Sequence, residues 1–173
     1  MNLDQLFKIQ EVMENNIKKL SQIDENVLGE ENIFDLRFLA LQVKVGEIAN
    51  LTKCYKYSRI KPNIPREKLM IRYIDAMKFL LSIGNAHHFN IINIDAINSM
   101  INEESIIKVF GIIYDDITDL KRKILQNNYV DSLSVYIKLF SEFINLGKLL
   151  GLNFEEMYNY YLEIASSYLL TEQ

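Results

Sequence analysis

The chain has 173 residues, of which 49% are hydrophobic and 24% are charged, and its formal net charge is −4. This composition excludes a disordered chain and can fill one hydrophobic core, so we expect a single domain spanning residues 1–173. The acidic balance argues against nucleic acid as a partner, and no apolar run is long enough for a membrane span. With a lone cysteine, Cys54, and no basic leader, we expect a cytoplasmic protein.

Hydrophobic residues in the first half of the chain recur at helical spacing, without the alternation of a strand. A first helix is predicted within residues 3–20, and residues 23–32 are predicted to form a loop. A second helix is predicted from about Ile33 to Tyr57 and is followed by a linker. Pro65 is predicted to be the first residue of a third helix, which ends near Gly84.

The second half contains the clearest periodicity of the chain, from Ile106 to Ile124. The pair Asn127-Asn128 interrupts it, and another helix is predicted to run up to Leu150. Asn153 begins a capping pattern for the last helix. About six helices with mostly short connections predict an all-α bundle.

Two of the predicted helices, which we expect to be central, carry a base and an acid one turn apart among apolar neighbours. Lys44 is followed by Glu47, and Arg72 is followed by Asp75. One interpretation is two ordinary surface pairs, each contributing roughly a few tenths of a kcal/mol. The other is a buried polar cluster, in which each charge needs a partner because an isolated buried charge is costly. The spacing alone leaves both interpretations open.

The same residues lie in two motifs that resemble those of the dimeric, all-α dUTPases of phages and Gram-positive bacteria. That family belongs to a wider group of helical NTP pyrophosphatases that includes the MazG-type enzymes. The family motif E-L-G-E-L-A-N-E-x-x-x-F-K-x-W corresponds to KVGEIAN at 44–50 and YKYS at 55–58. The motif E-Y-V-D-x-x-H-F-x-L-S-I-G corresponds to RYIDAMKFLLSIG at 72–84. The segments LFKIQ and LGKLLGLNFEEMYNYYLE extend the likeness. The resemblance implies a helical bundle of the dimeric dUTPase or MazG-like type and a homodimer.

The resemblance also identifies the metal-binding positions, and the chain departs from them. In the family, four acids bind Mg²⁺, which activates the water that attacks the triphosphate. Here only Glu47 and Asp75 remain, whereas Lys44 and Arg72 replace the other two acids and Lys78 replaces the motif histidine. Lysine and arginine side chains offer only donors, so we expect no bound metal. We predict instead that Lys44 and Arg72 form salt bridges with the two remaining acids.

The family's nucleotide site is matched only in part. The resemblance assigns possible nucleotide contacts to Gln10, Asn50, Lys56 and Phe79, with Gln10 matching a glutamine near the base pocket. Ser58 stands where the family has tryptophan. The cationic and amide groups that usually end the last helix are missing from its sequence.

We therefore expect a catalytically inactive dUTPase-like protein that needs no cofactor and acts by binding a protein, such as a repressor, or a nucleotide, such as dUTP. The alternative is a functional dUTP or dNTP pyrophosphatase that releases dUMP and pyrophosphate. In that case Glu47 and Asp75 would hold one Mg²⁺, and Lys44 and Arg72 would bind phosphate directly. A third possibility is a nucleotide sensor that binds without cleaving.

Overall fold

A computed structural model describes residues 2–22, 25–57, 63–99 and 104–169. These ranges contain eight α-helices and no strand, so the all-α prediction is confirmed. None of the described helices is long and apolar enough to cross a membrane. The helices are α1 (Leu3–Leu20), α2 (Glu25–Leu28), α3 (Glu30–Thr52), α4 (Arg66–Ala86), α5 (Ile94–Asn98), α6 (Ile106–Leu125), α7 (Tyr129–Leu149) and α8 (Phe154–Leu169).

Both ends of α3 differ from the sequence-based prediction. The predicted loop at 23–32 contains α2 and the first turn of α3, because Gly29 adopts φ 80° and two glutamates follow it where the helix dipole favours acids. At the other end, Lys53 has φ 54° and its N–H donates to the Ala49 carbonyl. This left-handed residue ends the helix at Thr52, five residues before the predicted end.

The other boundaries follow the prediction more closely. Pro65 is the N-cap rather than the first helical residue, since its ψ of 127° is extended while its carbonyl accepts from Leu69 N–H. The helix α4 then ends at Ala86, just beyond the expected Gly84. The helix predicted over the periodic segment is α6, and Asn127, with φ 55°, ends it. The two helices beyond the expected six are short, α2 and α5.

The helix α4 lies at the centre of the described bundle, where it contacts α1, α3, α7 and α8. Two buried tyrosines join it to α7: Tyr73 donates to the Phe143 carbonyl and Tyr136 donates to the Leu80 carbonyl, both at 2.9 Å. The helix α3 is less central than predicted. It packs mainly against α4 and buries residues such as Leu41, but it leaves an apolar edge more exposed. That edge consists of Leu36, Leu39 and Val43, each at least half exposed.

Candidate functional site

The helices α3 and α4 pack side by side and bring the four motif charges into one cluster. Lys44 Nζ lies 3.2 Å from Glu47 Oε1 and 3.9 Å from Asp75 Oδ2. Arg72 Nη1 lies 3.1 Å from Glu47 Oε2 and 3.8 Å from Asp75 Oδ2. Each base therefore contacts both acids, and the salt bridges expected from the sequence are present. We refer to Lys44, Glu47, Arg72 and Asp75 as the charge cluster.

The side chains of the charge cluster are partly buried. Their burial is intermediate between the two interpretations of the sequence, surface pairs and a buried polar cluster. The relative exposure of its side chains ranges from 26% for Lys44 to 38% for Arg72. Two of its four contacts join different helices. Such contacts fix the position of α3 against α4 as well as neutralising the acids, a role that pairs within one helix cannot have.

The side chains present do not fit a magnesium site of the family type. A hard cation requires several oxygen ligands, and the two carboxylates of the charge cluster instead lie against an ammonium and a guanidinium group. Across the described ranges, no three His, Cys, Asp or Glu side chains are grouped so that they could hold a metal ion. A metal beside Glu47 and Asp75 would also be repelled by Lys44 and Arg72 at close range.

Lys78 adds a third positive charge beside the charge cluster. Its Nζ lies 3.7 Å from Asp75 Oδ1, one turn further along α4. Burial lowers the pKa of Lys78, and the charge of Lys44 lowers it further, while Asp75 opposes the shift without cancelling it. The resulting pKa is below the ordinary lysine value. Lys78 is therefore a partly desolvated amine at the edge of the charge cluster.

The charge cluster opens onto a cleft enclosed by α1, α3, α4 and the end of α2, with a volume of about 330 Å³. Lys44 and Asp75 belong to both the charge cluster and the cleft. The apolar part of the cleft is formed by Ile17, Leu28, Ile33, Leu36 and Phe79. The other residues that line it are Gln10, Glu14, Lys18, Arg37, Lys78 and Ser82. An apolar cavity with a few polar groups is typical of small-molecule sites, although this volume is at the low end of their range of roughly 300–1,000 Å³.

Two of the four predicted nucleotide contacts, Gln10 and Phe79, line this cleft together. Gln10 is buried, and its Oε1 accepts a hydrogen bond from the Tyr161 hydroxyl. Burial and the charge of Glu14 raise the pKa of Tyr161 well above its ordinary value, so the hydroxyl stays protonated and donates. This bond from α8 holds the Gln10 amide in place at the cleft wall.

The other two predicted contacts do not line the cleft. Asn50 is exposed near the end of α3, and its Oδ1 accepts hydrogen bonds from Lys53 Nζ at 2.6 Å and from the Tyr55 hydroxyl at 3.0 Å. Lys56 is exposed and follows the end of the helix. Ser58, at the position of the family tryptophan, lies outside the described residues.

Sequence reasoning missed a second polar network in the cleft, which joins three helices. Arg37 on α3 donates to Glu14 Oε1 at 2.8 Å and to Ser82 Oγ at 3.0 Å, and Ser82 donates to Glu14 Oε2 at 2.6 Å. Burial raises the pKa of Glu14, but these hydrogen bonds and the charges of Arg37 and Lys18 outweigh it, so the pKa is below its ordinary value. The available sequence signal was the four-residue spacing of Gln10, Glu14 and Lys18 on α1.

The sequence model of the family described as dUTPase matches residues 2–166 and therefore includes both the charge cluster and the cleft. No curated protein and no solved structure matches the chain.

Proposed function

Because the chain belongs to the dUTPase family, we propose that it binds a nucleotide in the α1–α3–α4 cleft without metal-dependent hydrolysis. The observation that carries this proposal is the charge cluster. Lys44 and Arg72 both contact Glu47 and Asp75, the two acids that would otherwise be available to a metal. The pyrophosphatase of the sequence-based alternative would have to break these ion pairs before Mg²⁺ could bind.

The lining of the cleft supports binding. Phe79 and the neighbouring aliphatic side chains form a surface for a base, and the amide of Gln10 provides a polar contact. Lys44 and Lys78 lie beside Asp75 in the same cleft, where ammonium groups are effective partners for phosphate oxygens. The cleft therefore combines an apolar surface that suits a base with ammonium groups that suit a phosphate.

Thermal unfolding in the presence of dUMP or dUTP tests this proposal, because a ligand that binds the native state raises the unfolding temperature. We expect stabilisation of the natural protein and a loss of that stabilisation in Phe79→Ala. Phe154→Ala is the matched control, since Phe154 also packs partly buried against the core but does not line the cleft. The proposal would be contradicted if neither dUMP nor dUTP stabilised the natural protein, or if both variants lost the stabilisation equally.

The exposed apolar edge of α3 favours a second proposal, that this edge has a role in forming the homodimer expected from the sequence. Leu36, Leu39 and Val43 lie along one side of this helix, and apolar residues grouped on a surface are typical of protein interfaces. Sedimentation at micromolar concentration should give the mass of two chains, and Leu39→Glu should shift it towards one. A monomeric natural protein would contradict this role. A repressor or another protein partner stays a prediction.

A further inference from the structure

We infer that the cleft selects a nucleoside monophosphate over a triphosphate and binds it without a divalent cation. The fixed charge of the cleft matches one phosphate group and leaves no role for a metal. This inference rests on the proposed nucleotide-binding function and adds to it the phosphate number and the metal requirement of the ligand.

The first argument is the charge of the cleft. Four cationic side chains, Lys18, Arg37, Lys44 and Lys78, and two carboxylates, Glu14 and Asp75, line it, which gives a formal charge of +2. The remaining members of the charge cluster, Glu47 and Arg72, carry opposite charges and leave this value unchanged. The whole chain has a net charge of −4. The cleft is thus a positive region on an acidic protein, which attracts anions.

The second argument is the charge of the ligand. A phosphate monoester has a second pKa near 6, so it carries about two negative charges at neutral pH, which balance the charge of the cleft. A triphosphate carries further negative charges, which Mg²⁺ neutralises in the enzymes that cleave it. Because the side chains of this site do not fit Mg²⁺, those additional charges would remain uncompensated. Taking unpaired charges out of water into this partly apolar cleft is costly, which favours the monophosphate.

The third argument is the position of the two lysines. Lys44 Nζ lies 3.9 Å from one oxygen of Asp75, and Lys78 Nζ lies 3.7 Å from the other. The two ammonium groups flank a single carboxylate at the wall of the cleft. A phosphate dianion placed beside them can accept hydrogen bonds from both lysines. The lysines supply the positive charge that a metal supplies elsewhere.

Calorimetric titration of the full chain with dUMP and with dUTP, each in chelator and in millimolar Mg²⁺, tests the inference. We expect dUMP to bind more tightly than dUTP in chelator, and its affinity not to rise when Mg²⁺ is added. The dUMP affinity should fall as the salt concentration increases, because ionic contacts are screened. Tighter binding of dUTP in the presence of Mg²⁺ would overturn the inference while leaving the proposed nucleotide binding in place.

A variant of Lys78 tests whether the lysine charge carries the selectivity. Lys78→Gln should weaken dUMP binding by about tenfold or more and reduce its preference over dUTP, since a charge-assisted hydrogen bond is lost. Lys8→Gln is the control, because Lys8 is exposed on α1 and does not line the cleft. Equal dUMP affinity in both variants would overturn the inference, and the salt dependence of the natural protein tests it independently if Lys78→Gln does not fold. Failure of both nucleotides to bind the natural protein would overturn the proposed function itself.

Discussion

Arg72 on α4 reaches across to Glu47 on α3, with its Nη1 atom 3.1 Å from Glu47 Oε2. In the sequence these residues belong to two different motifs, 25 positions apart, and each has a second partner within its own helix. The contact shows that the two motifs meet in space. Together with Lys44 and Asp75, this pair forms an arrangement of two bases and two acids with no net charge.

The pairing of Arg72 with Glu47 should be measurable as a coupling free energy. We expect the double-mutant cycle of Arg72→Met and Glu47→Gln, followed by urea unfolding, to give about 0.5–1 kcal/mol, because the pair is only partly buried. High salt should reduce the coupling. The pair Arg122–Asp119 on α6 is the control, since Arg122 is 67% exposed and should couple more weakly. A zero coupling for Arg72 and Glu47 would show that this bridge does not stabilise the protein.

Glu14 should stabilise the unliganded protein in a pH-dependent manner. Its pKa in the native state is lower than the ordinary 4.5, so its contribution is present above about pH 4.5 and is lost as the pH falls through the native pKa. At pH 7 we expect Glu14→Gln to lower the free energy of unfolding by about 1 kcal/mol, because the charge-assisted bonds to Arg37 are weakened. The difference should narrow in acid. A difference that is constant with pH would contradict the native network.

Asp116 should have the opposite pH dependence. Burial raises its pKa, the neighbouring Asp119 and Asp115 add to this, and Lys138 opposes it at 2.8 Å. Within the described part of the chain, Asp116 Oδ2 has no hydrogen-bond partner. With a native pKa above 3.8, ionisation costs stability as the pH rises through the interval between the unfolded and native values.

The corresponding variant is Asp116→Asn, which removes the charge but keeps an oxygen for Lys138. We expect its free energy of unfolding to exceed that of the natural protein by about 1 kcal/mol at pH 7. The advantage should shrink towards pH 3.5, below the ordinary value of 3.8, because protonation of the natural carboxyl removes the cost of its charge. Urea unfolding at pH 7 and at pH 3.5 measures the difference in the free energy of unfolding between Asp116→Asn and the natural protein. A difference that favours the variant less at pH 7 than at pH 3.5 would contradict this prediction.

Gly84 at the end of the second motif is required by packing. A Cβ atom at this position would lie 2.7 Å from Phe7 Cε1 and closer still to the Tyr136 hydroxyl, which donates to the Leu80 carbonyl. We expect Gly84→Ala to destabilise the protein by about 1–3 kcal/mol, as overpacking does in cores. Gly111→Ala is the control: its Cβ meets nothing among the described atoms and should stabilise α6 by about 0.5–1 kcal/mol. Thermal unfolding distinguishes the two, and equal stability would contradict this packing.

Hydrophobic periodicity predicted the long helices well because their buried residues recur at helical spacing along the chain. The helix α6 was found within one residue, since its apolar positions recur without interruption from Ile106. The ends of α3 were missed because they depend on single residues, Gly29 and Lys53, both of which have a positive φ. Short helices such as α5 bury too few residues to show a period.

The site was predictable only where the motifs resembled a known family. The motif positions identified Lys44 and Arg72, and the structure then placed them against both acids. The network of Glu14, Arg37 and Ser82 was not predictable in this way, because it forms between three helices that lie far apart in sequence. Motif matching also assigned a nucleotide contact to Lys56, which follows the end of α3 and does not line the cleft, and that assignment stays a prediction.

The most direct test of the central claim is the release of pyrophosphate from dUTP by the purified natural protein in millimolar Mg²⁺. The variant Lys44→Glu/Arg72→Glu, which supplies four acids at the motif positions, should be measured beside it and should be stabilised by Mg²⁺. We predict no release above the buffer rate from the natural protein, because Lys44 and Arg72 hold Glu47 and Asp75 in ion pairs. Metal-dependent turnover by the natural protein would contradict this account and would show that the site performs hydrolysis with its charges reversed.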